Sequence, residues 1–336
     1  MTTHRPIELK APDITRWRAG NTGVEYVWSF DSGIAGPNVM VQALTHGNEI
    51  CGAIVLDSAL DALLAQRWQP VRGRLTLAFA NIEAYSRWDP DDPDRSRYVD
   101  EDYNRVWADD ALRGVRDSVE LRRARALRPF VDAADFLLDI HSMHEPCKPI
   151  MVCGAAGRGA EKAAALARRL RVPEFLLIDT GHPAGLRMIE RGPFGDPHDA
   201  RTAILIECGQ HWERAAVDVA FDTLLRFVQL SGVVSPDLAQ QELRRIGLTP
   251  PLRQRLVRVT EAVVAKSLDF RFEQDFQGLE VIAKAGDPIA SDGDEVIRAP
   301  YDNTVLVMPS MAHLKVGTTM VRLGRFEAID DELAAP

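Results

Sequence analysis

The tetrapeptide His46-Gly47-Asn48-Glu49 is suited to metal chemistry. An imidazole and a carboxylate three residues apart, where a strand hands over to a helix, can aim at one point. The small Gly47 permits the tight turn between them. A further imidazole, His141, follows the strand-like segment Phe136-Leu-Leu-Asp-Ile140, and ligands of open α/β sheets bind at the carboxyl ends of strands. His46, Glu49 and His141 therefore read as a His₂Glu zinc set, one Zn²⁺ per chain, with water in the fourth position. His144 and Glu145, on the loop beyond, form the alternative pair.

Glu207 stands directly after the apolar tetrapeptide 203–206. A carboxylate in such surroundings is costly unless it is paired or functional. Beside a metal-activated water it suits the general base and acid of amide hydrolysis, taking the nucleophile's proton and passing it to the leaving nitrogen. The segment Arg97-Tyr-Val-Asp-Glu-Asp102-Tyr-Asn104-Arg105-Val-Trp107 adds two arginines and an asparagine. A guanidinium there can grip a substrate carboxylate in bidentate fashion or polarise a scissile carbonyl, and the residue types leave both roles open. The same loop also holds enough acids to bridge its own arginines.

These residues need strands and helices to position them. Residues 39–44, 74–79, 136–140, 149–152, 174–178 and 203–206 read as strands, and 50–68, 109–129, 160–171 and 213–230 as helices. That alternation predicts an α/β domain with a partly parallel sheet. The six arginines of 109–129 read as a solvated helix face rather than a nucleic-acid patch. The α/β unit is expected over residues 1–240. From about 250 to 330, β-branched runs between turn signals predict a smaller β-rich domain. The acidic tail 329–336 is expected to fray.

The order H-G-N-E, R-Y-V-D-E-D-Y-N-R-V-W, D-I-H-S, I-E-C-G resembles the succinylglutamate desuccinylase/aspartoacylase family, relatives of the zinc carboxypeptidases. The resemblance covers residues 38–230 well and the rest more loosely. It implies a mixed twisted sheet flanked by helices, with a C-terminal β-domain narrowing the mouth of the site. It also implies zinc on His46, Glu49 and His141, Glu207 as general acid/base, Arg97 polarising the carbonyl, and Asn104 with Arg105 on the substrate's α-carboxylate. The implied reaction is hydrolysis of a small N-acyl amino acid. Three stretches depart from the family pattern: 86–96 before the arginine motif, Tyr103 within it, and the run after His141. A C-terminal tyrosine reaches the site in some relatives; Tyr301 and His313 are the candidates here. The loop 179–192 could add specificity through Arg187 or His182, but its Gly and Pro content fits an ordinary connecting loop, the favoured reading.

Composition narrows the partners. Forty Lys+Arg against 49 Asp+Glu give a net charge of −9, which disfavours nucleic acid and anionic membranes as main partners. Four cysteines without a CxxC pair support neither a disulfide scaffold nor a thiolate zinc site. Without a signal-like h-region or a run of about 18 apolar residues, the expectation is a cytoplasmic protein. A metallocarboxypeptidase acting on small peptides and a non-catalytic α/β binding module are the competing readings. The sequence leaves the oligomeric state, a homo-oligomer included, open.

Overall fold

The computed structural model describes residues 5–312 and 314–327. His313 and the tail 329–336 lie outside the described residues. The N-terminal half runs β1 (Val27–Asp31), β2 (Asn38–Ala43), α1 (Ile50–Leu64), β3 (Arg74–Phe79), α2 (Ile82–Tyr85), α3 (Asp109–Arg113), α4 (Val119–Ala133) and β4 (Phe136–Met143). There follow β5 (Ile150–Ala155), α5 (Ala160–Leu170), β6 (Phe175–Asp179), β7 (Thr202–Gln210), α6 (Arg214–Leu230) and α7 (Pro236–Ile246). The remaining elements are all strands: β8 (Arg255–Val264), β9 (Arg271–Phe272), β10 (Val281–Ile282), β11 (Pro288–Asp292), β12 (Glu295–Arg298), β13 (Thr304–Val307) and β14 (Thr319–Glu327).

Eleven strands form one mixed sheet in the order β1-β3-β2-β4-β7-β5-β6-β8-β14-β13-β10. Its centre is parallel from β3 through β2 and β4 to β7, whereas β5 runs antiparallel to β7. β8 pairs in parallel with β6, so the β-rich C-terminal part extends the central sheet. Only β12, β11 and β9 form a separate small sheet. Both faces of the centre are covered, which explains the near-continuous apolar strands. One core joins α1, α5 and α6 to the Val39, Val41, Ile140 and Ile206 face. The other joins α4, Tyr103, Trp107 and Met188 to the Leu137, Leu205 and Leu177 face. Side chains alternate along a strand, so Asp139, His141 and Glu207 fall on this second face.

Some boundaries differ from the sequence expectation. The helical pattern of 109–129 divides into α3 and α4: α3 stops at Gly114, and Ser118 caps α4 by accepting from Leu121 N. Nor do the arginines there all face solvent. Arg123 donates to the carbonyls of Phe79 and Ala80, and Arg125 to those of Ala111, Leu112, Gly114 and Arg116. The segment after α6 forms α7, started by the Ser235 side chain and Pro236 at its first turn. Strands β4 and β7 run to Met143 and Gln210, which places His141 and Glu207 inside strands rather than just past their ends. Among the described residues no helix is long and apolar enough to cross a membrane.

Candidate metal centre and active site

The chain leaves β2 through Leu44, whose φ of 61° bends it sharply toward His46. Gly47 then passes where a side chain has no room: a Cβ there would sit 2.3 Å from the Ser96 carbonyl oxygen and 2.5 Å from Tyr85 N. Its own N–H donates to the Arg97 carbonyl at 3.2 Å. The turn bearing His46 and Glu49 is thereby locked to the loop bearing Arg97.

His46, Glu49 and His141 are all buried, and one potential ligand atom from each lies within 4.8 Å of the others. Glu49 joins the two imidazoles, with Oε1 2.6 Å from His46 Nδ1 and Oε2 3.0 Å from His141 Nδ1. The far nitrogen of each ring meets another carboxylate. His141 Nε2 is 2.8 Å from Asp139 Oδ2, and His46 Nε2 is 3.0 Å from Asp102 Oδ1. Thr45 fixes Asp139 in turn, donating to Oδ1 at 2.9 Å. Carboxylates behind imidazoles set the tautomer and raise the basicity of the inward nitrogens, an arrangement typical of metal-ligating histidines.

The electrostatics favour a cation at this point. Although burial works the other way, Asp139 and Glu49 push the His141 imidazole well above its ordinary range. Burial also opposes ionisation of Glu49 and Asp102, yet both are held well below the usual carboxylate range. His141 and His46 do this for Glu49, and His46, Arg105 and Arg97 for Asp102. Two nitrogens and a carboxylate, buried and aimed at one centre, suit a divalent ion of the zinc type.

Glu207 pairs with His141 in the ladder between β4 and β7. Its Oε2 is buried and has no hydrogen-bond partner among the described residues. Burial, reinforced by Glu49 and Asp139, raises this carboxyl against the opposing pull of His141 and Arg97. Arg97 Nη2 lies 3.3 Å from His46 Nε2 and 3.4 Å from Asp102 Oδ2. Asp102 also accepts from Asn104 N at 2.8 Å, starting the tight turn that carries Asn104 and Arg105. The Asn104 side-chain oxygen accepts from Met188 N, and Arg105 Nη1 donates to the Asn104 carbonyl at 2.7 Å. The loop is anchored by Glu120 of α4, a fully buried carboxylate that accepts from the backbone N–H of Val99, Asp100 and Glu101 and from Asn81 Nδ2.

All seven residues expected from the sequence line one cavity of about 210 Å³: His46, Glu49, Arg97, Asn104, Arg105, His141 and Glu207. The C-terminal part contributes Gln277, Met308, Pro309, Ser310 and Arg322 to its wall. Tyr301 does not line this cavity; its hydroxyl bonds Thr260 Oγ1 at 2.6 Å and its ring lies under the Arg325 guanidinium. His144 lines it but is held between Asp94 and Glu145, which push its imidazole up to about 9. Arg187 also lines it, with its charge met by Asp179 and Glu190. His182 faces the adjoining cavities instead.

Sequence reasoning missed Asp139, Glu120, Arg322 and the pair Ser142–His211. Asp139 precedes His141 by two residues, the same-face spacing of a strand, so a signal existed. His211 Nδ1 is 2.8 Å from Ser142 Oγ, its Nε2 has no partner among the described residues, and burial pulls the imidazole down to about 3.

Comparison with known proteins agrees with this geometry. The catalytic-domain model of the succinylglutamate desuccinylase/aspartoacylase family matches residues 35–224, more than half of the chain. No curated protein matches it in sequence. Among solved structures, succinylglutamate desuccinylase from Vibrio parahaemolyticus superposes with a TM-score of 0.65 at 18% identity, covering 90% of this chain and 86% of its own. The enzyme of the same name from Chromobacterium violaceum gives 0.64 at 17%, covering 91% and 90%. An aspartoacylase family protein from Mesorhizobium loti gives 0.59 at 17%, covering 90% and 89%. At such identities the structures speak for the fold, and the matched catalytic domain, which spans every residue from His46 to Glu207 discussed above, speaks for descent. The chain belongs to the succinylglutamate desuccinylase/aspartoacylase family, a family of deacylases.

Proposed function

We propose that this protein hydrolyses the amide bond of a small N-acyl amino acid, releasing a carboxylate and a free amino acid. The observation that carries the reading is the placement of Glu207, with one carboxylate oxygen unpartnered, opposite His141 of the buried His46–Glu49–His141 group. That group would hold zinc, and the bound ion would supply a Lewis acid that polarises the scissile carbonyl and acidifies water. Asn104 and Arg105 grip the α-carboxylate and fix the amide over the site. Arg97 takes up negative charge developing on the carbonyl oxygen, while Asp102 holds its guanidinium in place. Glu207 removes a proton from the attacking water and delivers it to the departing nitrogen, a role suited to a carboxyl whose affinity for protons burial has increased.

Residues 250–330 act in this reading as a cap on the unit formed by 1–240. Met308, Pro309 and Ser310 restrict the cavity to about 210 Å³, which favours small substrates over the peptides of a metallocarboxypeptidase. The test is a panel of N-acyl amino acids and dipeptides offered to zinc-loaded protein, reading released amine. Turnover of acyl amino acids in preference to peptides, abolished by chelation and restored by zinc, is expected; peptide-only turnover would overturn the substrate class.

A further inference from the structure

A separate cavity of about 360 Å³ opens between α4, the start of α2 and the turn 23–25. It shares no lining residue with the cavity of the metal centre. Two of its charged groups are matched within the protein, Glu25 by Arg18 and Arg122 by Asp117. Two others are not. Arg123, half-buried, commits Nε and Nη2 to the carbonyls of Ala80 and Phe79, and its Nη1 has no partner among the described residues. Glu83 is exposed and has neither hydrogen bond nor ion pair among the described residues. Asn81 lines the same cavity; its Nδ2 donates to Glu120 Oε1 at 3.0 Å, and its buried Oδ1 has no partner among the described residues. A buried acceptor left without a donor is costly, and so is a guanidinium drawn out of water without an anion.

The complement of these three groups is a small zwitterion. A carboxylate suits Arg123, and an ammonium suits Glu83 and the amide oxygen of Asn81. An anion alone leaves Glu83 and Asn81 unmet, and a cation alone leaves Arg123 unmet. The volume is at the small end for ligand pockets, which run from about 300 to 1,000 Å³. What stands behind the cavity ties it to the active site. Glu120, the partner of Asn81, accepts from the backbone N–H of Val99, Asp100 and Glu101, in the loop that carries Arg97 and Arg105. The backbone N–H of Asn81 donates to the Leu44 carbonyl at 2.8 Å, at the bend that leads into His46. One residue in the wall of the cavity thus touches both supports of the catalytic groups.

We propose that this cavity is an effector site for a free α-amino acid, and that its occupancy slows turnover through Asn81 and Glu120. The regulatory half of the inference rests on the deacylase reading above. In that reaction the substrate nitrogen is an uncharged amide and the product nitrogen an ammonium, so the site tells product from substrate. The acyl form offers Glu83 no cation. A ligand that engages Asn81 Oδ1 shifts the amide that also holds Glu120. The backbone of Val99 to Glu101 follows Glu120, and a displacement of about 1 Å in groups that position a substrate is enough to slow the chemistry.

Two measurements test it. Calorimetry titrates L-alanine, L-glutamate and L-lysine, and the N-acetyl derivative of each, into the full chain carrying Arg105→Gln, which removes the proposed α-carboxylate grip of the active site. At least one free amino acid is expected to bind with a Kd of about 1 mM or tighter, and its acetyl derivative about tenfold more weakly or worse. Adding Glu83→Lys, which puts a cation where the ammonium would sit, or Ala126→Leu, which fills the cavity, abolishes that binding. No binding by any of the three, or binding that survives either change, overturns the proposal. Steady-state kinetics then uses the zinc-loaded full chain with Arg105 intact and an N-acetyl amino acid as substrate. The amino acid that binds should lower kcat by about fivefold at saturation. Glu83→Lys and Ala126→Leu keep the basal kcat and lose this fall, leaving only competition at the active site. Purely competitive inhibition of the wild type overturns the regulatory role. If no substrate turns over, the deacylase reading fails by itself, and the titrations still decide the binding site.

Discussion

Glu207 and Asp139 carry the sharpest tests at the scale of single residues. Glu207→Gln keeps the shape and removes the proton carrier, so kcat should fall by about 10³ or more while metal content by mass spectrometry stays at wild-type level. An active Glu207→Gln enzyme would exclude the proposed proton transfer. Asp139→Asn should weaken metal affinity by about 10- to 100-fold in chelator competition, because His141 loses the carboxylate that orients it. His46, Glu49, His141 and Glu207 were legible from the sequence because polar residues interrupt apolar runs where strands deliver them. Asp139 interrupts such a run as well, but a carboxylate that only supports a ligand looks in sequence like any buried acid. Arg322 had no local signal, since its place depends on a strand pairing far from every motif.

The decisive element is the loop from Arg97 to Arg105, which has little regular structure and is held from outside. Glu120 of α4 does most of this by accepting three successive backbone N–H groups. Glu120→Gln turns two of the accepting atoms' positions into one acceptor and one donor. It should cost about 2 kcal/mol of stability and lower kcat/KM by about 10- to 100-fold with metal content retained. Chemical denaturation, steady-state kinetics and metal analysis together check this, and loss of the metal in the same variant would instead place Glu120 in support of the ligands. The strands and long helices around this loop were foreseeable from periodicity. The split between α3 and α4 was signalled by Gly114 and Ser118 but overshadowed by the continuous Leu and Arg spacing. Helix α7 was overlooked because its Ser-Pro start reads equally well as a domain boundary.

At the scale of the whole molecule, buried and half-buried histidines contribute to the response to acid. Burial, with Arg97 and His144 nearby, pulls His211 down to about 3, and burial beside Arg105 and Arg322 pulls His182 down to about 4. The unfolded chain takes up these protons near pH 6.5 and the folded chain only near those lower values. The stability they contribute is therefore complete above about pH 6.5 and is lost as pH falls toward 4 and 3. His144, raised to about 9 by Asp94 and Glu145, acts in the opposite direction, contributing below about pH 6.5 and losing its effect toward 9. Melting temperature should fall from pH 6.5 to 4 more steeply in the wild type than in His211→Asn; parallel slopes would remove His211 from the account. The net charge of −9 is a sum over the whole chain, whereas the cavity wall gathers four arginines in one place.

Strand β14 lies inside the great sheet, between β8 and β13, and it is the last strand among the described residues. Order of synthesis then becomes order of assembly. A nascent chain that has emerged through α7 already contains His46, Glu49, His141 and Glu207, but it lacks the Met308–Ser310 wall and Arg322. The segment that carries the candidate ion-binding and proton-transfer residues is thus made first, and the segment that completes the cavity wall is made last. Until residues 304–327 are made, the cavity lacks the wall that Met308, Pro309, Ser310 and Arg322 give it.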